Sequence, residues 1–189
     1  PEQMNATVDL KSQIGDVVSD LQISNIDNID FASYSGEINL NNFNIGAFLN
    51  NPLFGEISLN GDVDGAGFKL NNINTSFIGT VSKLKFKDYS YKNIAANGQY
   101  QNNKFDGNLE IDDANFKMKF NGLADLSSEV HKFDFKSDIG YLNLKETNLF
   151  TRDSTAILKG NIELDIEGNT LDDITGKATF KNILYTNQK

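Results

Sequence analysis

Apolar and polar residues change places at every step through residues 105–111, and again through residues 115–121. Such alternation puts every second side chain on one face of an extended strand. With Asp112-Asp113-Ala114 as the turn between them, the two runs are expected to pair as a hairpin. The pattern returns at residues 36–40, 55–59, 81–86, 133–135 and 160–166, so each of these is expected to be a strand with one apolar side. Between the runs stand Asn41-Asn42, Asn60-Gly61, Asn71-Asn72, Asn102-Asn103, Asn121-Gly122 and Gly168-Asn169. Asn and Gly tolerate positive φ, so these pairs are read as tight turns, with a strand about every 8–12 residues.

Two places fit a short helix instead: residues 44–49 and residues 137–142, each with a capping residue ahead of apolar residues at helical spacing. Residues 10–30 are ambiguous, because Ile14, Val17, Val18 and Leu21 fit a helix while Leu21, Ile23 and the run from Ile26 to Ile29 fit strands. A weak echo links residues 36–91 to residues 133–185. Ile45-Gly46, Asp62-Val-Asp-Gly65 and Phe86-Lys-Asp-Tyr-Ser-Tyr91 return in the same order as Ile139-Gly140, Asp165-Ile-Glu-Gly168 and Phe180-Lys-Asn-Ile-Leu-Tyr185. The whole of 1–189 is therefore read as a single β segment with a weak internal repeat, elongated rather than compact.

Composition supports strands over long helices, with 15 Gly, 2 Pro, 14 Phe and no Trp in 189 residues. The formal net charge of −9 argues against a nucleic-acid partner, since a phosphate backbone would be repelled. The absence of Cys removes disulfides, thiolate nucleophiles and Cys-based zinc sites together. No apolar run reaches the roughly 20 residues of a membrane-spanning helix, and no signal peptide opens the sequence. A start at Pro1 suggests a piece of a longer protein, with any anchor elsewhere in it.

The candidates for chemistry each have a plainer reading. His131 is the single histidine and has no nucleophile or ligand near it in sequence, so it reads as a surface residue. Asp62-Val-Asp-Gly-Ala-Gly67 resembles the opening of a calcium loop, but the twelfth position, which needs a bidentate acid, is Ile73; a turn is expected. Asp112-Asp113 and Asp172-Asp173 lie where turns are expected and read as solvated loops rather than paired catalytic carboxylates. The alternating lysines Lys83, Lys85, Lys87 and Lys117, Lys119 read as the water side of amphipathic strands. No catalytic residue, metal ligand or cofactor site is assigned, and the chain is not expected to be an enzyme.

What remains is the apolar face. Its expected members are Ile57, Leu59, Val63, Leu84, Phe86, Phe105, Leu109, Ile111, Phe116, Met118, Phe120, Phe133, Phe135, Ile162, Leu164 and Ile166. Either two sheets close on each other, giving a packed structural or adhesive solenoid, or one sheet curls into a trough with an apolar inside.

Residues 98–122, then Phe133-Asp-Phe135, Ile139-Gly-Tyr-Leu-Asn-Leu144, Leu164-Asp-Ile-Glu-Gly168, Leu171-Asp-Asp-Ile-Thr-Gly176 and Asn182-Ile-Leu-Tyr185 resemble AsmA-like bacterial envelope proteins, most closely the TamB branch, the translocation and assembly module subunit. The likeness extends more loosely over residues 36–91. It implies an all-β fold: an elongated, strongly curved antiparallel sheet forming a U-shaped groove, or β-taco, with one or two very short helices. It also implies a periplasmic location within a parent anchored in the inner membrane. The groove residues above would then hold phospholipid acyl chains on their way between the two membranes, and a TamA-type outer-membrane barrel becomes a possible partner. The alternative within the same resemblance is a scaffold for outer-membrane protein assembly. Holding hydrocarbon has a large driving force, since at roughly 0.8 kcal/mol per CH₂ two lipid tails exposed to water cost on the order of 20 kcal/mol.

Overall fold

The computed structural model describes residues 3–25, 27, 28, 31–69, 72–151, 155–170 and 172–188. They form one antiparallel sheet whose strand order is the sequence order. The strands are β1 (Gln3–Ser12), β2 (Gly15–Ser24), β3 (Ser33–Asn44), β4 (Phe54–Ala66), β5 (Asn74–Phe86), β6 (Tyr89–Gln101), β7 (Lys104–Asp112), β8 (Phe116–Asp125), β9 (Lys132–Asn143), β10 (Thr155–Glu167) and β11 (Thr175–Gln188). One short helix, α1 (Ile45–Leu49), joins β3 to β4. The Asn44 side chain accepts the Ala47 N–H at 2.9 Å to start it, and Asn50 ends it at φ 51°.

Register carries the alternating pattern straight across the strands. One polar row runs unbroken as Asp9, Val18, Asn39, Asn60, Thr80, Ala95, Glu110, Lys119, Asp138, Asn161 and Lys181. Directly beside it on the apolar face run Ile38, Gly61, Gly79, Ala96, Leu109, Phe120, Ser137, Ile162 and Phe180. A one-residue slip of any strand would reverse both faces, so the apolar pattern fixes the register. The expected hairpin of residues 105–121 is β7 and β8, turning at residues 113–115.

Four readings are corrected. Residues 137–142 are not helical but part of β9: Ser137 and Ile139 are buried and Asp138 and Gly140 exposed, a period-two pattern held by ladders to β8 and β10. Asn60-Gly61 and Asn121-Gly122 lie inside β4 and β8 rather than at turns, and Asp62 to Gly65 is strand as well. Gly61 faces Gly79 across the ladder, and a Cβ on either would lie 2.8 Å from the Phe77 ring. There the missing side chain makes room for an aromatic ring from the neighbouring row. Residues 10–24 are strand hairpin, not helix; Ile26 and Ile29 of the ambiguous run, and Asn71 of one expected turn, lie outside the described residues.

The fourth correction concerns shape. The sheet is open, not a closed sandwich, and it is not strongly curled into the expected U. Its strands pack extensively only against their sequence neighbours, so among the described residues no second sheet covers the apolar face. The bend it does carry has an identifiable source. Ladder shifts at Leu40/Phe43, Ser58/Leu59, Lys117/Met118, Leu158/Gly160 and Lys159/Asn161 fall along one line across the sheet, just beyond the row Leu40, Leu59, Val81, Ile94, Ile111, Met118, Ile139. Asn42, Asn93 and Asn182 sit on that line at φ 49°, 52° and 53°, where an extra residue is accommodated most easily by Asn. Bulges bend and twist a strand, and aligned bulges bend a sheet.

Candidate functional site

All sixteen residues expected on the apolar face share it, and the bulge line divides them. Ile57, Leu84, Phe86 and Phe116 lie beyond the line, on the side of α1. Twelve lie before it, in four rows: Leu59, Ile111 and Met118; Leu109, Phe120 and Ile162; Val63, Phe135 and Leu164; Phe105, Phe133 and Ile166.

The part at and beyond the bulge line is packed with the protein's own side chains. Leu40, Ile57, Val81, Tyr91, Ile94 and Ile111 form a buried cluster, with Phe43, Ile45, Leu84, Phe86, Tyr89 and Phe116 against it. Residues 144–150, the connection after β9, reach back over this end. The Tyr91 hydroxyl donates to the Thr147 carbonyl at 3.0 Å, and the Asn148 amide donates to the Lys87 carbonyl at 2.8 Å. Beside them Asp113 is only 3% exposed. Its carboxylate accepts the Tyr89 hydroxyl, the Lys92 N–H at 3.1 Å and the Asn115 N–H at 2.9 Å. Burial, and then the neighbouring Asp113, pushes the Tyr89 phenol up to about 12, and burial also raises Tyr91. Asp113, read from sequence as a solvated loop residue, is instead the buried acceptor that organises the β7–β8 turn; only its neighbour Asp112 is exposed and pairs with Lys117.

The other half of the face is only half covered. Phe120 lies 6.1 Å from Phe105 and 5.0 Å from Phe135, ring centre to ring centre, and Phe135 lies 6.5 Å from Phe133. These rings shield one another within the face rather than against a second layer. At its end on β11 the face opens completely, with Phe180 59% exposed. Ser137, in the row of Phe120, is buried with its hydroxyl unbonded.

The polar face holds a feature that the alternation gave no sign of, a cavity of about 820 Å³. Its lining comes from two adjacent polar rows, Thr80 to Lys181 and Ile78 to Thr179, and from the single row between them. The flanking apolar rows of Val81 and Phe77 do not line it, which places it on the polar side. Two ion pairs span its strands, Lys119 with Glu110 and Lys136 with Glu163, both at 3.1 Å, and Asp138 and Lys181 line it as well. Lys136 holds the Glu163 carboxyl below its ordinary range, as Lys83 does for Glu56. The remaining candidates are local. The His131 N–H donates to Asn169, and Asp173 accepts from the Thr170 and Asn169 N–H groups, which lower its carboxyl. Among the described residues no group of three or more His, Asp or Glu could hold a metal ion, and no helix is long and apolar enough to cross a membrane.

Fold and faces together define an open, single-layer antiparallel meander with one continuous apolar face. No family model, curated protein or solved structure matches the chain.

Proposed function

We propose that the chain is a stretch of an AsmA-like bridge of the TamB branch, whose apolar face carries phospholipid acyl chains through the periplasm between the inner and outer membranes. The parent is then held in the inner membrane by parts outside this sequence, and any TamA-type barrel is met there as well. One observation carries the reading: the apolar rows run across the strands without interruption, and half of that face lacks a covering layer. Ten strand-to-strand steps of about 4.8 Å give it a length of ~48 Å, longer than the ~30 Å hydrocarbon core of a bilayer. A tail lying along such rows meets Phe, Leu, Ile and Val side chains spaced by glycine and alanine, and no charged group, so it can slide.

The test is lipid retention. Chain purified from a Gram-negative host is extracted and its phospholipid measured by mass spectrometry, for the wild type, for Phe120→Asp/Phe135→Asp, and for Thr80→Asp on the polar face. Lipid is expected with the wild type and T80D and at least ten-fold less with the double variant, all three giving the same strand signature in circular dichroism. Equal lipid in all three samples, or none in any, would refute the proposal.

A further inference from the structure

The polar side of the sheet holds a feature that the transport reading does not use. Strands β5 to β11 together line its cavity of about 820 Å³, within the roughly 300–1,000 Å³ of small-molecule sites. Its charged side chains cancel, Lys119, Lys136 and Lys181 standing against Glu110, Asp138 and Glu163. They also interleave. Lys119 lies between Glu110 and Asp138 along one row, and Lys136 stands beside Glu163 in the next, so no patch of one sign is presented to draw in an ion. Beside these charges runs a row of amides: Asn97, Asn108 and Asn121 are direct cross-strand neighbours on β6, β7 and β8. Asn121 donates to the Asn108 side-chain oxygen at 2.6 Å, and among the described residues the three side chains make no other bond. Asn97 therefore keeps its whole amide, Asn108 its donors and Asn121 its acceptor, and all three residues are exposed. At the β5–β6 end, Ile78 at 54% exposure and Ala95 add apolar surface to the lining.

We infer that this trough binds a neutral glycan chain lying across the strands. Unpaired amides donate and accept together, as sugar hydroxyls and acetamido groups do. An anion or a cation, by contrast, would meet as many repelling charges as attracting ones. Successive strands lie about 4.8 Å apart, close to the length of one pyranose unit in an extended chain, so each ring falls beside the amide of a new strand. Ile78 and Ala95 offer contact to the C–H face of a ring. The trough lies on the side of the sheet away from Phe120 and Phe135, so the inference stands independently of lipid transport, and lipid content is not its readout.

An NMR titration of the isotope-labelled chain tests it, with chitohexaose and cellohexaose as neutral glycans and a galacturonic acid hexamer and hexalysine as charged controls. Saturable shifts of the asparagine side-chain amides and of the β6–β8 backbone are expected with a neutral glycan, at a Kd of about 1 mM or tighter. Asn108→Leu/Asn121→Leu is expected to weaken binding about ten-fold or more through the lost hydrogen bonds. Asn60→Leu, on the same face outside the cavity, is expected to leave it unchanged, with the same strand signature in circular dichroism for every variant. Asn108→Asp keeps the acceptor that Asn121 uses and removes the donors; it is expected to weaken binding about three-fold, and it answers the question where the double variant does not fold. No saturable shift with either neutral glycan up to about 10 mM, tighter binding of a charged hexamer, or equal binding by the wild type and the amide variants overturns the inference.

Discussion

Replacing Asp113 by Ala tests the structural account at its most specific point. The substitution removes the acceptor shared by the Tyr89 hydroxyl, the Lys92 N–H and the Asn115 N–H, in a place where the Asp113 side chain is almost inaccessible. A buried donor left without a partner costs about 1–3 kcal/mol; the Asn115 amide donates to the Tyr89 oxygen at 3.3 Å and cannot take the place of the lost acceptor, but the half-buried Tyr89 hydroxyl can turn to water. The two backbone donors therefore dominate, and a loss of about 2–4 kcal/mol is expected. For a chain of this size that is a fall in Tm of roughly 5–15 °C. Asp112→Ala, one residue away, removes only an exposed pair with Lys117 and is expected to cost less than about 1 kcal/mol. Urea unfolding followed by tyrosine fluorescence and circular dichroism reads both. If Asp113→Ala costs no more than Asp112→Ala, the buried carboxylate does not organise this end of the sheet, and the argument built on it fails.

Other consequences can be checked on the same material. Ile94→Ala, in the buried cluster, is expected to lose about 2–5 kcal/mol, whereas Ile78→Ala on the polar face stays within about 0.5 kcal/mol of the wild type in the same urea assay. Phe77→Ala uncovers Gly61 and Gly79 and is expected to cost about 1.5–3 kcal/mol, less than a fully buried phenylalanine because the ring is half exposed. The Tyr89 phenol sits higher in the folded chain than its ordinary 10.0, so its contribution is complete below pH 10 and is lost as pH climbs from there to about 12. Two units at about 1.36 kcal/mol each set a ceiling near 2.7 kcal/mol. Base titration of the unfolding free energy should therefore show a smaller alkaline loss for Tyr89→Phe than for the wild type.

The strands were legible because period two is a property of neighbouring residues. Runs such as Leu109, Ile111 and then Phe116, Met118, Phe120 state their face without reference to the rest of the chain. The turns were less legible, since Gly61 and Gly122 serve the strand interior: a glycine beside an asparagine carries the same letters whether it turns the chain or makes room for a ring from the next strand. Residues 137–142 misled for a related reason. Ile139 and Leu142 are three apart, the spacing of a helix, but here one bulged step at Gly140-Tyr141 brings both to the same face of a strand. Asp113 was hidden because the difference between it and Asp112 is set by Tyr89 and Lys92, more than twenty residues earlier. The polar cavity had no signal in one strand at all, as it depends on how seven strands lie together.

The bulge line is also what gives the apolar face two unlike halves. In an unbroken strand Tyr91 and Ile94 would point to opposite sides, yet both are buried in one cluster. At Asn93 the alternation of β6 changes by one step, and ladder shifts place an extra residue in β3, β5, β9 and β11 along the same row, so these strands stay paired while they turn there. Beyond that row α1 and residues 144–150 cover the sheet, and Ile45 and Thr147 from those elements fill the space together with Phe43 of β3. Before it, Phe68 covers Tyr34 at the β3–β4 end, ring centres 4.9 Å apart, while over β7 to β9 the rings of Phe105, Phe120, Phe133 and Phe135 lean on one another. On the inner rows of the sheet the less covered part of the apolar face is therefore the half holding Phe105, Phe120 and Phe135. A hydrocarbon ligand carried by this sheet has to lie there, because the other half is already occupied.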